Sequence, residues 1–241
     1  MKNSNELFIK TVRFNREKVA DFNIYPFNID IIKNFSELRL TSPVTSLVGE
    51  NGTGKSTFIE ALAVAYGLNP EGGTQNFNFS TKSTHSNLHE YIQLGKFDLP
   101  RTKYFLRAES FYNVATEIDN LELLGYGTNS LHDCSHGESF IQLIHNRFSS
   151  NGVYILDEPE AALSPTRQLT LLAIIDDLVK QGSQFIIATH SPILIAYKHG
   201  IIYDLNNNFE ITEYEDTEIY KTYKMFLERY KEMQEQLFND Y

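Results

Sequence analysis

Short apolar runs alternate along the chain with longer stretches in which apolar residues recur every three or four positions. Runs without polar interruption are typical of strands buried on both faces of a parallel sheet, and the recurring spacing is typical of helices packed on such a sheet. The pattern predicts strands at residues 7–14, 29–32, 38–40, 44–48, 103–108, 153–156, 184–189, 201–205 and 209–214. It predicts helices at residues 58–67, 111–124, 140–148, 165–181 and 216–238. We therefore expect an α/β fold, with antiparallel N-terminal strands before a mostly parallel central sheet flanked by helices.

Composition places the chain among globular proteins. Its 241 residues are enough for one α/β domain with a proper core. No apolar run approaches the length of a membrane span and the N-terminus lacks a signal-peptide pattern, so we expect no membrane segment and a cytoplasmic location. The single cysteine, Cys134, excludes an internal disulfide and a cysteine-rich metal site. The formal net charge of −10 argues against a broad basic face for DNA, although a local patch stays open.

One stretch has a phosphate-binding pattern. Residues 49–57 match G-x-x-x-x-G-K-[ST] and lie between a predicted strand and a predicted helix, which is the context that gives this motif meaning. Its glycines let backbone N–H groups and the positive end of the helix face the phosphates of a nucleotide. Lys55 would neutralise the β- and γ-phosphates, and the Ser56 hydroxyl would ligate Mg²⁺. The candidate nucleotide-binding residues here are Gly49, Glu50, Asn51, Gly52, Thr53, Gly54, Lys55, Ser56 and Thr57.

Two carboxylates follow the predicted buried strand at residues 153–156. In a doubly wound sheet the carboxyl ends of the strands line the crevice that holds the ligand. We assign Asp157 to Mg²⁺, and Glu158 to positioning and deprotonating the attacking water. The alternative is that both carboxylates only cap the turn before Pro159.

Four stretches follow one another along the chain: residues 49–57, Ser-His-Gly-Glu-Ser at 135–139, residues 156–164, and Thr-His-Ser at 189–191. In this order they resemble the Walker A loop, the signature loop, the Walker B strand end with its D-loop, and the switch region of an ABC-type ATPase head. In overall plan the chain looks like the short stand-alone ATPases of the ABC/AAA class that are related to RecF and SMC heads. The resemblance implies a P-loop NTPase fold that binds ATP and Mg²⁺. It also implies one ATPase domain over residues 1–241, with an inserted loop and helical lobe at 67–137 and a C-terminal helix at 216–241.

The resemblance also implies roles for single residues. In such ATPases two heads sandwich two nucleotides, so Ser135, Gly137 and Glu138 would contact the γ-phosphate of ATP held by a second copy. Residues 162–164 would cross the dimer interface as the D-loop. His190 would sense the γ-phosphate and help to hold the catalytic carboxylate and the water. The implied catalytic residues are Glu158, His190 and Lys55, and the implied metal ligands are Ser56 and Asp157.

Two positions depart from the family pattern. The signature reads Ser-His-Gly-Glu-Ser instead of Leu-Ser-Gly-Gly-Gln, so its match rests on Ser135, Gly137 and the start of a helix. The strand that should end in the Q-loop glutamine leads instead to Glu109. Gln75 and Gln93 are the candidates for a displaced glutamine.

Three further assignments stay open. For Tyr25 a core or turn role is favoured, with a role as the adenine platform as its alternative. The apolar stripe of the C-terminal helix either packs on the domain or docks a partner. A group of basic residues forms either a solvated face or a contact to a partner or phosphate backbone: Lys96, Arg101, Lys103 and Arg107.

The expected function is slow Mg²⁺-dependent ATP hydrolysis by a homodimer that closes on ATP and regulates a partner protein or a DNA-related process. The first alternative is the ATP-binding subunit of an ABC transporter, which the atypical signature and the missing Q-loop glutamine disfavour. The second alternative is a nucleotide-sensing module of a defence or toxin system, with negligible turnover.

Overall fold

The structure is a computed structural model that describes residues 6–70, 72–73, 86–108 and 136–238. Its strands are β1 Ile9–Phe14, β2 Glu37–Arg39, β3 Val44–Val48, β4 Ile92–Lys96, β5 Thr102–Arg107, β6 Gly152–Asp157, β7 Gln184–Ala188, β8 Ile201–Asp204 and β9 Glu210–Thr212. Its helices are α1 Asp30–Asn34, α2 Lys55–Ala65, α3 His136–Arg147, α4 Pro165–Lys180 and α5 Glu218–Phe238. The predicted helix at residues 111–124 lies outside the described residues.

The central sheet has six strands in the order β5-β6-β7-β3-β8-β9. Strands β5, β6, β7, β3 and β8 are parallel, and β9 pairs antiparallel to β8. In β6, Val153 and Ile155 join an apolar cluster with α2, whereas Tyr154 and Leu156 join a second cluster with α3 and α4. Because successive side chains of a strand point to opposite faces, helices cover both faces of this sheet. The predicted α/β fold is therefore confirmed.

A smaller antiparallel sheet, in the order β2-β1-β4, lies against α2, and its apolar side chains belong to the first cluster. Gln184, at the start of β7, joins the two sheets. Its buried side-chain amide accepts from the N–H of Ile9 at 2.9 Å and donates to the C=O of Ile9 at 2.8 Å. The amide thus copies the hydrogen bonding of a neighbouring strand and fixes β1 on the central sheet.

The N-terminal elements differ from the predicted ones. Residues 29–32 enter α1 and not a strand, since the N–H groups of Ile32 and Lys33 both donate to the C=O of Ile29. An apolar run this short cannot distinguish a strand from a helical turn by its period. The pattern also misses β4, in which only Ile92 and Leu94 alternate with polar or glycine positions. Helix α3 begins at His136, four residues before the predicted start at residue 140. The apolar spacing missed this first turn because its residues are polar or glycine.

Helix α5 packs its apolar stripe on the described part of the chain only at its start, where Ile219 lies against the cluster of Val48, Ile195 and Ile202. It has no buried residue, and the residues from 221 to 232 are all exposed, among them Tyr223, Phe226 and Tyr230. Its principal neighbour is the short turn Tyr214–Asp216. The stripe therefore packs on the domain at its first turn, and for the rest of the stripe packing on the domain and docking of a partner both stay predictions. Within those residues, no helix is both long enough and apolar enough to cross a bilayer.

Candidate functional site

The loop between β3 and α2 has the backbone that a phosphate-binding loop needs. Gly52 and Gly54 have φ angles of +82° and +98°, in the left-handed region that favours glycine. Gly54 is the N-cap of α2, and a Cβ there would lie 2.7 Å from Cγ2 of Ile29. Glycine is therefore required at this position both for its backbone angle and for space. The turn leaves the N-terminus of α2, at Lys55, facing the loop, where its N–H groups favour an anion.

Lys55 is held inside the loop that precedes it. Its side chain is buried, and its ammonium donates to the C=O groups of Gly49 at 2.8 Å and Glu50 at 3.0 Å. Burial lowers the pKa of Lys55, and the negative charge of nearby carboxylates, first among them Glu158, opposes that shift. The ammonium is thus anchored to the carbonyls of the phosphate loop, and the role of Lys55 toward phosphate stays a prediction.

Ser56 and Asp157 lie together, although 101 positions separate them in the sequence. The Ser56 hydroxyl donates to Oδ1 of Asp157 at 3.3 Å. Alcohol and carboxylate oxygens are ligands that suit Mg²⁺, so the pair fits the predicted metal site. Among the described residues, no group of three or more His, Cys, Asp or Glu side chains could hold a metal ion. A Mg²⁺ ion here would therefore take its remaining ligands from phosphate oxygens and water.

Arg107 belongs to this site and not to a solvated basic face. Its side chain is only 18% exposed and donates through Nη1 to Oε2 of Glu60, in α2, at 2.7 Å. Its Nε lies 3.5 Å from Oδ2 of Asp157. The contact follows from the sheet, because Arg107 and Asp157 are paired in the register of β5 and β6. A positive charge therefore lies beside the candidate metal ligand.

Glu158 and His190 approach each other from the ends of neighbouring strands. His190 Nε2 lies 3.6 Å from Oε1 of Glu158, and the two side chains are 32% and 38% exposed. Glu158 has a left-handed backbone, with φ of +48°, and its N–H donates to the C=O of Ala188 at 2.9 Å. Burial lowers the pKa of His190, the charge of Lys55 lowers it further, and Glu158 opposes both. His190 is therefore neutral at neutral pH. In a neutral imidazole one ring nitrogen donates a hydrogen bond and the other accepts one.

Two site residues were missed by sequence reasoning. The carboxylate of Glu160 accepts hydrogen bonds from the hydroxyl of Thr189 at 2.7 Å and from the N–H of His190 at 2.5 Å. Asn206 Oδ1 accepts from the N–H of Glu50 at 3.1 Å, inside the phosphate loop. The position of Glu160, just beyond a buried strand end that already carries two carboxylates, is a signal that could have found it. The sequence around Asn206 indicates only a hairpin turn.

The residues predicted to act on a second copy are only partly described. Ser135 lies outside the described residues. Gly137 and Glu138 lie in the first turn of α3, where Oε1 of Glu138 is 2.9 Å from Nη2 of Arg167 in α4. A Cβ on Gly137 would lie 3.2 Å from the C=O of Ala162, so the start of α3 packs on the predicted D-loop.

The remaining candidates lie in different places. Tyr25 is 62% exposed, and its hydroxyl is 3.5 Å from Oγ1 of Thr57, beside the phosphate loop. Gln93 lies exposed in β4, opposite Arg13 in β1, and so belongs to the smaller sheet. Glu109 and Gln75 lie outside the described residues.

Proteins of known families resemble this chain over most of its length. A family model described as an AAA domain matches residues 22–239, which is most of the chain. The ribose import ATP-binding protein RbsA of Bacillus cereus is 28% identical over 184 residues, which are 66% of this chain and 37% of RbsA. An uncharacterized ABC transporter ATP-binding protein of Haemophilus influenzae is 28% identical over 189 residues, which are 69% of this chain and 71% of that protein.

The chain spans little more than a third of the length of RbsA, so RbsA is similar to it over one part only. A solved structure described as an inward-facing conformation of a metal-chelate type ABC transporter superposes with a TM-score of 0.50 at 17% identity. The superposition covers 90% of this chain and 88% of the transporter chain. At 17% identity the likeness concerns the fold alone. The chain belongs to the AAA domain family, and it has the P-loop NTPase fold of an ABC-type ATPase head.

Proposed function

We propose that this protein is a Mg²⁺-dependent ATPase whose site is completed by a second copy in a head-to-tail dimer. The observation that carries the proposal is the meeting of two pairs of side chains at the ends of parallel strands. Ser56 contacts Asp157 beside the phosphate loop, and Glu158 approaches His190 at the adjoining strand end. Membership of an ATP-binding family supports the same activity.

Each pair has a distinct part in hydrolysis. The N-terminus of α2 and Lys55 bind the β- and γ-phosphates. Ser56 and Asp157 would hold a Mg²⁺ ion, which would neutralise charge that develops on the transferring phosphoryl group. Glu158 takes a proton from water while the water oxygen bonds to the γ-phosphorus and the bond to the β–γ bridging oxygen breaks, which releases ADP and phosphate. His190, neutral at neutral pH, positions the γ-phosphate and the water.

The proposed dimer places Ser135, Gly137 and Glu138 of one copy on the ATP of the other. Its support in the described residues is the packing of the first turn of α3 on the D-loop, because that contact would carry both motifs to one interface. In this proposal residues 1–241 work as one ATPase domain in the cytoplasm, with 67–137 as an inserted lobe. Closing and opening of the dimer would then act on a partner protein or on DNA.

The test uses Glu158→Gln, which keeps the size of the side chain and removes the base. We expect the turnover number to fall by about a hundredfold or more, since a positioned base contributes roughly 10²–10⁴-fold. With ATP and Mg²⁺ the variant should also shift from monomer to dimer in size-exclusion chromatography with light scattering. Glu210→Gln, in the exposed edge strand β9, is the matched control. Wild-type turnover by Glu158→Gln, or the absence of an ATP-dependent dimer, would contradict the proposal.

A second candidate function is the ATP-binding subunit of a transporter, which the names of the similar proteins favour. Stable, ATP-responsive co-purification with a defined integral membrane subunit from the same genome would support it over the first proposal. A sensor without turnover is the third candidate. Steady-state phosphate release that is lost in Lys55→Ala would exclude the sensor.

A further inference from the structure

We infer that Glu160 is a positioning residue that fixes the switch region at residues 189–191, called the switch loop below, and through that loop His190, for hydrolysis. This inference rests on the proposed ATPase function. Glu160 follows β6 in the short turn Pro159–Ala162, and the residues that it holds follow β7, the neighbouring strand. Its two carboxylate oxygens bind two successive residues, the hydroxyl of Thr189 at 2.7 Å and the N–H of His190 at 2.5 Å.

The position of the His190 ring depends on its backbone. Nε2 of His190 is buried and has no hydrogen-bond partner among the described residues, and its distance to Glu158 exceeds that of a hydrogen bond. The backbone N–H of His190 is held by Glu160. Loss of this carboxylate would therefore free the segment that aims the ring at Glu158.

A chain of hydrogen bonds continues from this contact. The Thr189 hydroxyl, which donates to Glu160, accepts from the N–H of Ser191 at 2.9 Å. The Ser191 hydroxyl donates to Gln168 in α4 at 2.6 Å, and the amide of Gln168 donates to the C=O of Leu163 at 3.1 Å. Glu160 thus joins a network that ties the switch loop to the D-loop, and its carboxylate is the member that bonds to His190 directly.

The two nearby glutamates have different roles by this geometry. Glu158 is 38% exposed and faces His190. Both oxygens of Glu160 already accept hydrogen bonds from the protein, so Glu160 is not placed to take a proton from water. Its role is therefore to position another group and not to act as the base.

Glu160 also costs stability, which separates this role from a purely structural one. Burial raises the pKa of Glu160, hydrogen bonds from His190 and Thr189 lower it, and the charge of Glu158 raises it again. Because the folded-state pKa lies above the ordinary value, the folded protein binds this proton more tightly than the unfolded chain does. Stability from this group is therefore present at low pH and is lost as pH rises through the folded-state pKa. At neutral pH, replacing the carboxylate by an amide removes that cost but also removes one of the two acceptors, so the two effects on stability oppose each other.

The experiment compares Glu160→Gln, Glu160→Ala and Thr189→Val, each alone and in a His190→Ala background. Thr170→Val, at an exposed position of α4, is the control for the threonine change. We expect kcat of Glu160→Ala to fall between about tenfold and a hundredfold, as small misplacements of reacting groups do, while KM changes less than about twofold. Glu160→Gln keeps one acceptor for the N–H of His190 and should recover part of kcat.

In the His190→Ala background, the same changes at Glu160 should have little further effect, because the ring that they position is absent. The melting temperature of Glu160→Gln should stay close to that of the wild type, because relief of desolvation and loss of one acceptor oppose each other. Additive losses with His190→Ala, a change confined to KM, or a lowered melting temperature that accounts for the lost activity would overturn the inference alone. A wild type without ATP turnover would overturn the proposed function and this inference together.

Discussion

Gly54→Ala tests whether the phosphate loop has the backbone and the packing described above. At φ of +98° an alanine pays about 1–2 kcal/mol for the left-handed conformation. Its Cβ would also lie 2.7 Å from Cγ2 of Ile29, and forcing an extra carbon into packed surroundings costs about 1–3 kcal/mol. The two costs together predict a loss of about 2–5 kcal/mol in the free energy of unfolding.

Gly52→Ala is the matched control in the same loop. Gly52 also has a positive φ, of +82°, but no atom lies within 4 Å of a Cβ built there. It should therefore lose only the backbone cost, about 1–2 kcal/mol. The difference between the two variants isolates the overlap with Ile29.

Urea unfolding followed by circular dichroism measures both losses, and the double variant with Ile29→Ala checks their origin. Because Ile29→Ala removes Cγ2, the double variant should be more stable than the sum of the two single changes predicts. Equal losses for the two glycine variants, or strict additivity with Ile29→Ala, would refute the reasoning. Gly54→Ala should also weaken ATP binding, since a displaced loop no longer directs its N–H groups at the phosphates.

Three other predictions concern separate parts of the molecule. Gln184→Leu should lower the free energy of unfolding, measured by urea titration, by about 2–5 kcal/mol, because the buried backbone N–H and C=O of Ile9 both lose a partner. A loss under 1 kcal/mol would contradict the bridge between the sheets. If Tyr25 stacks on the adenine base, Tyr25→Ala should weaken ATP binding by about 1–3 kcal/mol, and Tyr25→Phe should bind ATP almost as the wild type does. Tyr25→Ala should leave the affinity for inorganic triphosphate nearly unchanged. An equal weakening of triphosphate binding would assign the effect to the loop at Thr57. Burial lowers the pKa of His190, so as pH falls below 6.5 the unfolded chain binds this proton before the folded protein does, and the free energy of unfolding should decrease. His190→Gln should flatten the profile of melting temperature against pH in that range. An unchanged slope would show that other groups cause the decrease.

The central sheet was predictable because its strands are buried on both faces. Residues 153–156 form a continuous apolar run, and the structure divides their side chains between two apolar clusters. The strand ends then bring Asp157 to Ser56, as the order of the motifs predicts for a parallel sheet. By contrast, residues 29–32 entered a helix, because a short apolar run is buried equally well in either conformation.

The parts of the site that escaped prediction depend on which strands are neighbours. Arg107 reaches Asp157 because β5 lies next to β6, and Glu160 reaches Thr189 and His190 because β6 lies next to β7. A pattern of apolar and polar positions identifies strands but does not give their lateral order. The same side chains would be solvated or differently paired in another order, so their partners could not be derived from the sequence alone.

The candidate site gathers several groups that oppose folding. Glu158 has a left-handed backbone, and this conformation costs a non-glycine residue about 1–3 kcal/mol. Glu160 and Lys55 are ionisable groups that folding takes out of water. All three lie where β3 and β6 end, and the two apolar clusters on either face of the sheet supply the stability that offsets them. Strain and desolvation gathered at one edge of the sheet are expected of a site under selection for chemistry. Glu158→Gly should then leave the fold as stable as before or more so while it reduces turnover, whereas substitutions in either cluster should reduce both stability and turnover.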